Sequence, residues 1–438
     1  MWPTSSRSRI VVHASRRTRP AGILPHWGRP CDAVVMADRA GSWRARAAAQ
    51  KRAVFFVFDG GVGLGHLRRL CHIAERMQGP VACLVVTGHS RAATWFVPAG
   101  CEYVHIPSWD SLIAERARYW AREPFVDVEL EEAVAIRRTM IDGVMRAFRP
   151  DAIFVDHLPL GSRGELADVI ENAQCRKYLV TRGVLNGTED LDALILGGAA
   201  RTALIEHYDR ILVAADRRIV AFAEGHDVSA KVRAKITHTG YVAQKVPAAA
   251  IARKRAKRGL GPGDTWVVAS AGGGQTGEAT VNAAIALAET YPELIFDIVL
   301  GPRSNLRPPD GEPIGDNATR VRIHSAAEDM ALLHASADVV VTSGGYNSLL
   351  ETLQGSASIV CVPLRGSERD EQFQHARRFS DFIDIRIAPT AADLPLKFAE
   401  AVQGLATRRP DRRAEIDMSG ADAIAEIALN DLAMATVP

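Results

Sequence analysis

An α/β fold of two Rossmann-like halves is the architecture this 438-residue sequence predicts. Three observations carry the expectation. From position 53 onward short apolar runs alternate with segments of helical periodicity, the pattern of strands buried on both faces by crossover helices. A basic and then Gly/Pro-rich stretch, "AQKVPAAAIARKRAKRGLGPGD", interrupts the alternation at 243–264. Glycine-rich turns stand where three of the strands run into helices.

The first run, "AVFFVF", is followed by Leu67, Leu70, Cys71, Ala74 and Met77 at helical spacing, Gly79 as a stop, and the second run "VACLVV". "AIFVDH", "KYLVTR" and "YDRILVAA" extend the series to about position 215. After the interruption come "TWVVAS", a helix through Val281, Ile285 and Ala288, then "LIFDIVLG", "DVVVTSGG", the helix "YNSLLETLQG" and "SIVCVP". Residues 51–243 are therefore expected to form the first half and 265–438 the second. Between them, 244–264 reads as a linker whose basic run is a solvated face. The halves share a pattern but no residue-level repeat.

Residues 1–50 differ from the rest, with nine arginines, no lysine, and Asp32 and Asp38 as the only acids. Such a leader cannot bury enough apolar surface to order itself, so it is expected to be disordered, with Met36 a candidate start. Taking its nine arginines and two acids from the chain's 53 basic and 51 acidic residues leaves a body of net charge −5, which speaks against a nucleic-acid partner. Hydrophobic residues at 47% and charged residues at 24%, without an apolar run of membrane-spanning length, predict no transmembrane segment. The expected location is the cytoplasm, or the periphery of a membrane. Six scattered cysteines without C-x-x-C spacing predict neither a zinc site nor a disulfide framework.

The first glycine turn, "GGVGLGH", is not a dinucleotide fingerprint. Gly61, Gly63 and Gly65 are spaced by two, His66 stands where the third glycine belongs, and the next strand ends in "TGHS" without an acid. A P-loop pattern is lacking as well. What remains is a turn whose backbone a ligand can approach closely, with His66 at the mouth of the helix. The second turn, "SAGGGQTG", offers the N–H groups of Gly272, Gly273 and Gly274 at a helix start. The third, "SGGYNSLLE", offers those of Gly344 and Gly345, with Asn347 and Ser348 able to cap or donate and Glu351 one turn beyond Asn347. Two anion-binding turns in one half suit a diphosphate, and a carboxylate one turn further suits a ribose diol.

Together "GGVGLGH", "SAGGGQTG", "SGGYNSLLE" and "ERDEQFQHARRF" resemble glycosyltransferases of the two-domain GT-B fold. The later half is most similar to the N-acetylglucosaminyltransferase of peptidoglycan lipid-intermediate synthesis and its family 28 relatives. "GLGHLRR", "VDHLPLGSRGEL" and "GGYNS" are similar to a bacterial group known mainly as predicted glycosyltransferases. The resemblance spans about positions 53 to 405. It implies two domains facing each other across a cleft, the first binding the acceptor and the second the donor. Carried onto this chain, Gly273, Gly274 and Gln275 face the diphosphate, Glu351 the ribose, Glu371 and Gln372 the donor sugar, and His66 the reacting centre. Tyr346 and Asn347 depart from the small residues of the peptidoglycan enzyme.

The expected activity is sugar transfer from a nucleotide diphosphate donor, UDP-linked, to a hydroxyl or amine of a small-molecule or lipid-linked acceptor. Inversion is expected, without metal or cofactor. Backbone N–H groups at 272–277 and 344–347 would stabilise the leaving diphosphate. His66 would take the acceptor proton, with Asp156 a second catalytic candidate and Glu165 a further base. Gly63, Gly65, His157 and Arg182 lie on the acceptor side. Asp156 with His157 is equally readable as a structural pair fixing its loop, and Arg182 as a surface ion pair. Asp190-Leu191-Asp192 has the D-x-D form of a metal motif, but in its polar stretch it reads as acids favouring a helix start. A nucleotide-sugar epimerase or hydrolase, or a non-catalytic binding protein, are the alternative functions.

Overall fold

The apolar runs of this chain are too short for buried helices and rich in the β-branched and aromatic residues that pack on a pleated surface. Among the described residues of the computed structural model they form thirteen strands. The described residues are 50–438 except 60–63, 120–122, 184–190, 225, 271, 273–276, 302–303, 305, 307–319, 328, 364–370, 408–410 and 435–438. The Arg-rich leader, all but Gln50, lies outside them.

The first sheet contains β1 (Lys51–Phe56), β2 (Val81–Thr87), β3 (Glu102–His105), β4 (Ala152–Asp156), β5 (Arg176–Thr181), β6 (Arg210–Val213) and β7 (Ile236–His238), in the order β3-β2-β1-β4-β5-β6-β7. The second contains β8 (Trp266–Ser270), β9 (Ile295–Val299), β10 (Val321–His324), β11 (Val339–Thr342), β12 (Ser358–Cys361) and β13 (Ile385–Ile387), in the order β10-β9-β8-β11-β12-β13. Every pairing is parallel, with Phe56 opposite Val155 in one sheet and Ser270 opposite Thr342 in the other. In each sheet the chain winds outward to both sides from one strand pair, β1/β4 and β8/β11. Side chains and loops beyond the carboxyl ends of such a pair border a crevice, the usual ligand position in open parallel sheets.

The helices that frame the site are, in chain order, α1 (Gly65–Met77), α2 (Leu130–Phe148), α3 (Ala248–Arg258), α4 (Glu278–Thr290), α5 (Met330–Ser336), α6 (Tyr346–Thr352), α7 (Glu371–Phe379) and α8 (Gly420–Met434). The inner face of α1 is Leu67, Leu70, Cys71, Ala74 and Met77, all buried. Gly79, at φ +91°, takes the left-handed turn that follows it. In α4 the inward positions are Val281, Ala284, Leu287 and Ala288, whereas Ile285 is only half-buried.

Two expectations change. The stretch 244–264 contains α3, which belongs to the second half. Arg255 and Arg258, one turn apart, point inward, Arg255 Nη1 donating to Asp338 at 3.2 Å and the buried Arg258 Nε to Asp297 at 2.6 Å. Basic residues recurring on one helix face thus found a buried and a half-buried carboxylate rather than solvent. The chain's last helix also leaves the second half. Ala421, Ile424, Ala425, Ala428 and Leu432 of α8 join the core of α1 and the first sheet. Asp431 accepts from Arg210 at 2.7 and 2.8 Å and from Tyr178 at 3.1 Å.

The halves touch. Tyr346, Leu349, Leu350 and Phe379 of the second half share one core cluster with Val213, Ala215 and Tyr241 of the first, and the Tyr346 hydroxyl donates to Ala214 O at 2.6 Å. Among the described residues no helix is long and apolar enough to cross a membrane.

Candidate active site

The carboxyl ends of β1/β4 and β8/β11 face each other, and the glycine turns meet there. A Cβ on Gly65 would come within 2.9 Å of Asn347 Nδ2, and one on Gly272 within 3.8 Å of Ser343 Oγ. The start of α1 therefore lies against the start of α6, and the second turn beside the third. Gly344 has φ +77°, and its missing side chain makes room for Cys361 Sγ. Gly345 precedes the first turn of α6, which carries Asn347 and Ser348. Gly61, Gly63, Gly273, Gly274 and Gln275 lie outside the described residues.

On the first half, His66 in the opening turn of α1 meets Asp156 at the end of β4. Both are buried, and His66 Nδ1 donates to Asp156 Oδ2 at 2.7 Å. An ionised carboxylate only accepts, so this contact, shorter than the 3.1 Å between Arg69 Nη2 and the same nitrogen, favours the imidazole proton on Nδ1 and leaves the Nε2 lone pair available. Nε2 has no partner among the described residues. Arg69, one turn along α1, pairs with the other oxygen of Asp156, and Phe58 N–H donates to the carboxylate at 3.3 Å. Burial alone would raise the Asp156 carboxyl, but Arg69 and then His66 overrule it and hold it below its ordinary value. Burial lowers His66 to about 4 against the opposing pull of Asp156, so its ring is neutral at pH 7.

His157 follows at φ +67°, an uncommon conformation for a non-glycine residue, with its N–H held by Val180 O at 2.8 Å. Its ring stands 5.0 Å from that of His66, and Phe58 lies 4.9 Å from each. Burial first, then Arg182, pushes His157 well below its ordinary pKa. Glu165 is not beside His66. It accepts from Ser162 N and Arg163 N at 3.2 and 2.7 Å and stands 3.5 Å from Arg137, bracing the loop after β4.

On the second half, Glu351 is buried in α6 with both oxygens engaged. Oε1 pairs with Arg68 of α1, and Oε2 accepts from His334 Nδ1 at 3.0 Å. Burial would raise this carboxyl, yet Arg68 and His334 keep it low. His334 Nε2 lies 3.0 Å from Ser270 Oγ at the root of the second glycine turn. Arg182, just after β5, reaches across to Glu371 of α7 at 2.7 Å, so the arginine expected on the acceptor side and the carboxylate expected at the donor sugar form one pair. Gln372 lies beside them, against the Gly344 turn. Asp192 opens the short helical segment Asp192–Leu196 and pairs with His226 at 3.0 Å, while Asp190 is outside the described residues.

The arrangement offers a neutral imidazole base with its tautomer fixed, opposite two glycine turns and a buried carboxylate. Residues 273–428 match the family model for the glycosyltransferase family 28 C-terminal domain. The glycotransferase of kitacinnamycin shares the whole architecture, with a TM-score of 0.59 at 16% identity over 87% of this chain and 99% of that one. The chain has the two-domain GT-B fold of these glycosyltransferases, and its second half resembles family 28. UGT89C1 of Arabidopsis thaliana complexed with UDP overlays at TM-score 0.56 and 13% identity, covering 88% of this chain and 100% of that one. The UDP-GlcNAc 2-epimerase of Neisseria meningitidis bound to UDP-GlcNAc does so at 0.52 and 11%, covering 88% and 100%. At these identities the likeness is one of fold. No curated protein matches the sequence.

Four residues of this candidate site escaped the sequence reading. Arg68 and Arg69 stand in the quoted "GLGHLRR", where basic residues on an amphipathic helix read as its solvent face. His334, fully buried, sits in "ALLHAS", and its only signal was a polar residue inside an apolar helix. Ser270 was read only as the boundary of its turn.

Proposed function

We propose that this glycosyltransferase moves a sugar from a UDP-linked donor to a hydroxyl or amine acceptor, with inversion at the anomeric carbon and without metal or cofactor. The observation that carries the reading is the His66–Asp156 couple at 2.7 Å, which leaves Nε2 as the available base at the mouth of α1. The acceptor oxygen or nitrogen attacks the anomeric carbon from the face opposite the diphosphate, and its proton passes to Nε2. The bond from that carbon to the phosphate oxygen breaks, and its electron pair leaves with the diphosphate. Asp156 stabilises the imidazolium so formed. The low proton affinity of His66 rises when the diphosphate's negative charge enters, so the base gains strength as the donor binds. N–H groups of the 272–277 and 344–345 turns receive the developing charge. Glu351 holds the ribose, and Glu371 with Gln372 the sugar hydroxyls. Contact between the halves keeps water from competing with the acceptor.

A thermal-shift panel of nucleotide sugars tests donor binding, because a ligand bound only by the native state raises Tm. Turnover is then followed by UDP release with and without acceptors. Donor consumed only when an acceptor is present supports transfer. The shared fold with an epimerase bound to UDP-GlcNAc gives the second reading its ground, and a donor returned as its epimer would establish it.

A further inference from the structure

We infer that Arg68, a residue of the first half, is a ligand of the donor diphosphate, passed from Glu351 to the phosphates when the ribose binds. The inference rests on the proposed ribose role of Glu351 and adds a residue from the opposite domain.

Three observations lead there. Both oxygens of Glu351 are engaged, one by Arg68 and the other by His334, itself anchored on Ser270. His334 is fully enclosed within its own half, whereas Arg68 comes from across the cleft with its side chain 16% exposed. A ribose diol that hydrogen-bonds Glu351 competes with Arg68, the more accessible partner, for Oε1. The second observation is position. Gly65 packs against Asn347, so Arg68, three residues further on, leaves the same side of α1 toward α6. Asn347 lies one helical turn before Glu351, about 5.4 Å along the axis. That is the direction of Gly344 and Gly345, the turn to which the proposed donor site assigns the phosphates. A guanidinium released from the carboxylate needs only to swing by that distance on its flexible stem. The third is charge. Among the described residues around the turns Arg69 is held by Asp156 and Arg182 by Glu371, while the hydroxyls of the donor, in taking over Glu351, set Arg68 loose. A planar fork of N–H donors matches phosphate as well as carboxylate, so the exchange keeps Arg68 paired throughout.

This assigns Arg68 a part in holding the leaving group that the glycine turns alone would otherwise play. It also makes phosphate recognition conditional on both halves being together. Isothermal titration of the full chain with uridine and with UDP tests it. In Arg68→Ala the dissociation constant for UDP is expected to rise about tenfold or more, the scale of a lost hydrogen bond between charged partners. That for uridine stays unchanged or falls, because a competitor for Glu351 has gone. Arg68→Lys recovers part of the UDP affinity. An unchanged ratio of UDP to uridine affinity overturns the inference, whether both tighten, as for a mere plug, or both weaken, as for a structural prop. Should Arg68→Ala not fold, Arg68→Gln removes the charge with more of the shape kept, and the same ratio decides. Wild-type chain that binds neither ligand sinks the donor assignment and this inference with it. Binding with an unaltered ratio sinks only this one.

Discussion

Replacing His66 by alanine separates chemistry from architecture more cleanly than any change at its partner. Asp156→Ala would strand Arg69, which is 1% exposed, and an uncompensated buried charge costs about 3–5 kcal/mol. His66→Ala strands nothing, since Asp156 keeps Arg69 and the Phe58 N–H at 3.3 Å. What is lost is one hydrogen bond to a charged acceptor, about 1.5–3 kcal/mol, together with ring contacts to Phe58 and His157. The expense of burying an imidazole disappears in compensation. Each net kcal/mol lowers Tm by roughly 2–4 °C in a domain of this size. Turnover should fall much further, by about 10² to 10⁴, the usual contribution of a positioned base. UDP affinity should hold, because the base acts on the acceptor proton and not on the nucleotide. The assay is UDP release at saturating donor and acceptor, with the UDP dissociation constant and Tm measured on the same preparation. Near wild-type turnover in a chain of lowered Tm would make His66 structural and refute the mechanism.

Glu351→Gln should weaken uridine and UDP alike by about 1–3 kcal/mol in calorimetry; a loss confined to the sugar nucleotide would make Glu351 a sugar ligand instead. Gly344→Ala should lower the denaturant midpoint, by roughly 1–3 kcal/mol of stability, because the new Cβ meets Cys361 Sγ and φ is +77°. An unshifted midpoint would mean that the turn relaxes freely. Stability should also decline in acid. Burial lowers His66 to about 4 and His375 to about 3 from the ordinary 6.5, so below 6.5 the unfolded chain binds protons that the native state refuses. Tm should therefore fall as pH drops from 6.5 toward 4 and level off above 6.5, and a Tm flat across that window would show these rings to be accessible.

Much of this fold could be read in advance because a parallel strand covered on both faces must be a short, nearly continuous apolar run, and its crossover helix must carry its own period. Both signals are local. The glycine turns were legible for a related reason, since a chain gives up side chains where something must approach its backbone. Arg68 and Glu351 are 283 positions apart, and Arg182 and Glu371 are 189 apart. Nothing near either member of a pair announces the other. Likewise α3 reads as a basic surface helix until Asp297 and Asp338 are brought beneath it by strands that come later. The apolar face of α8 does not say on which sheet it packs.

The return of α8 to the first sheet means that the polypeptide passes between the halves twice, and the two passages run side by side. Tyr241 N donates to Asp417 O at 2.7 Å and Gly420 N to Tyr241 O at 3.0 Å. Covalent tethers that cross at one spot behave as a pin. The halves cannot slide past one another or drift apart without first breaking these bonds and peeling α8 from its seat. A spine of this kind fixes His66 and the glycine turn of Gly344 and Gly345 in register with one another, although they belong to different sheets.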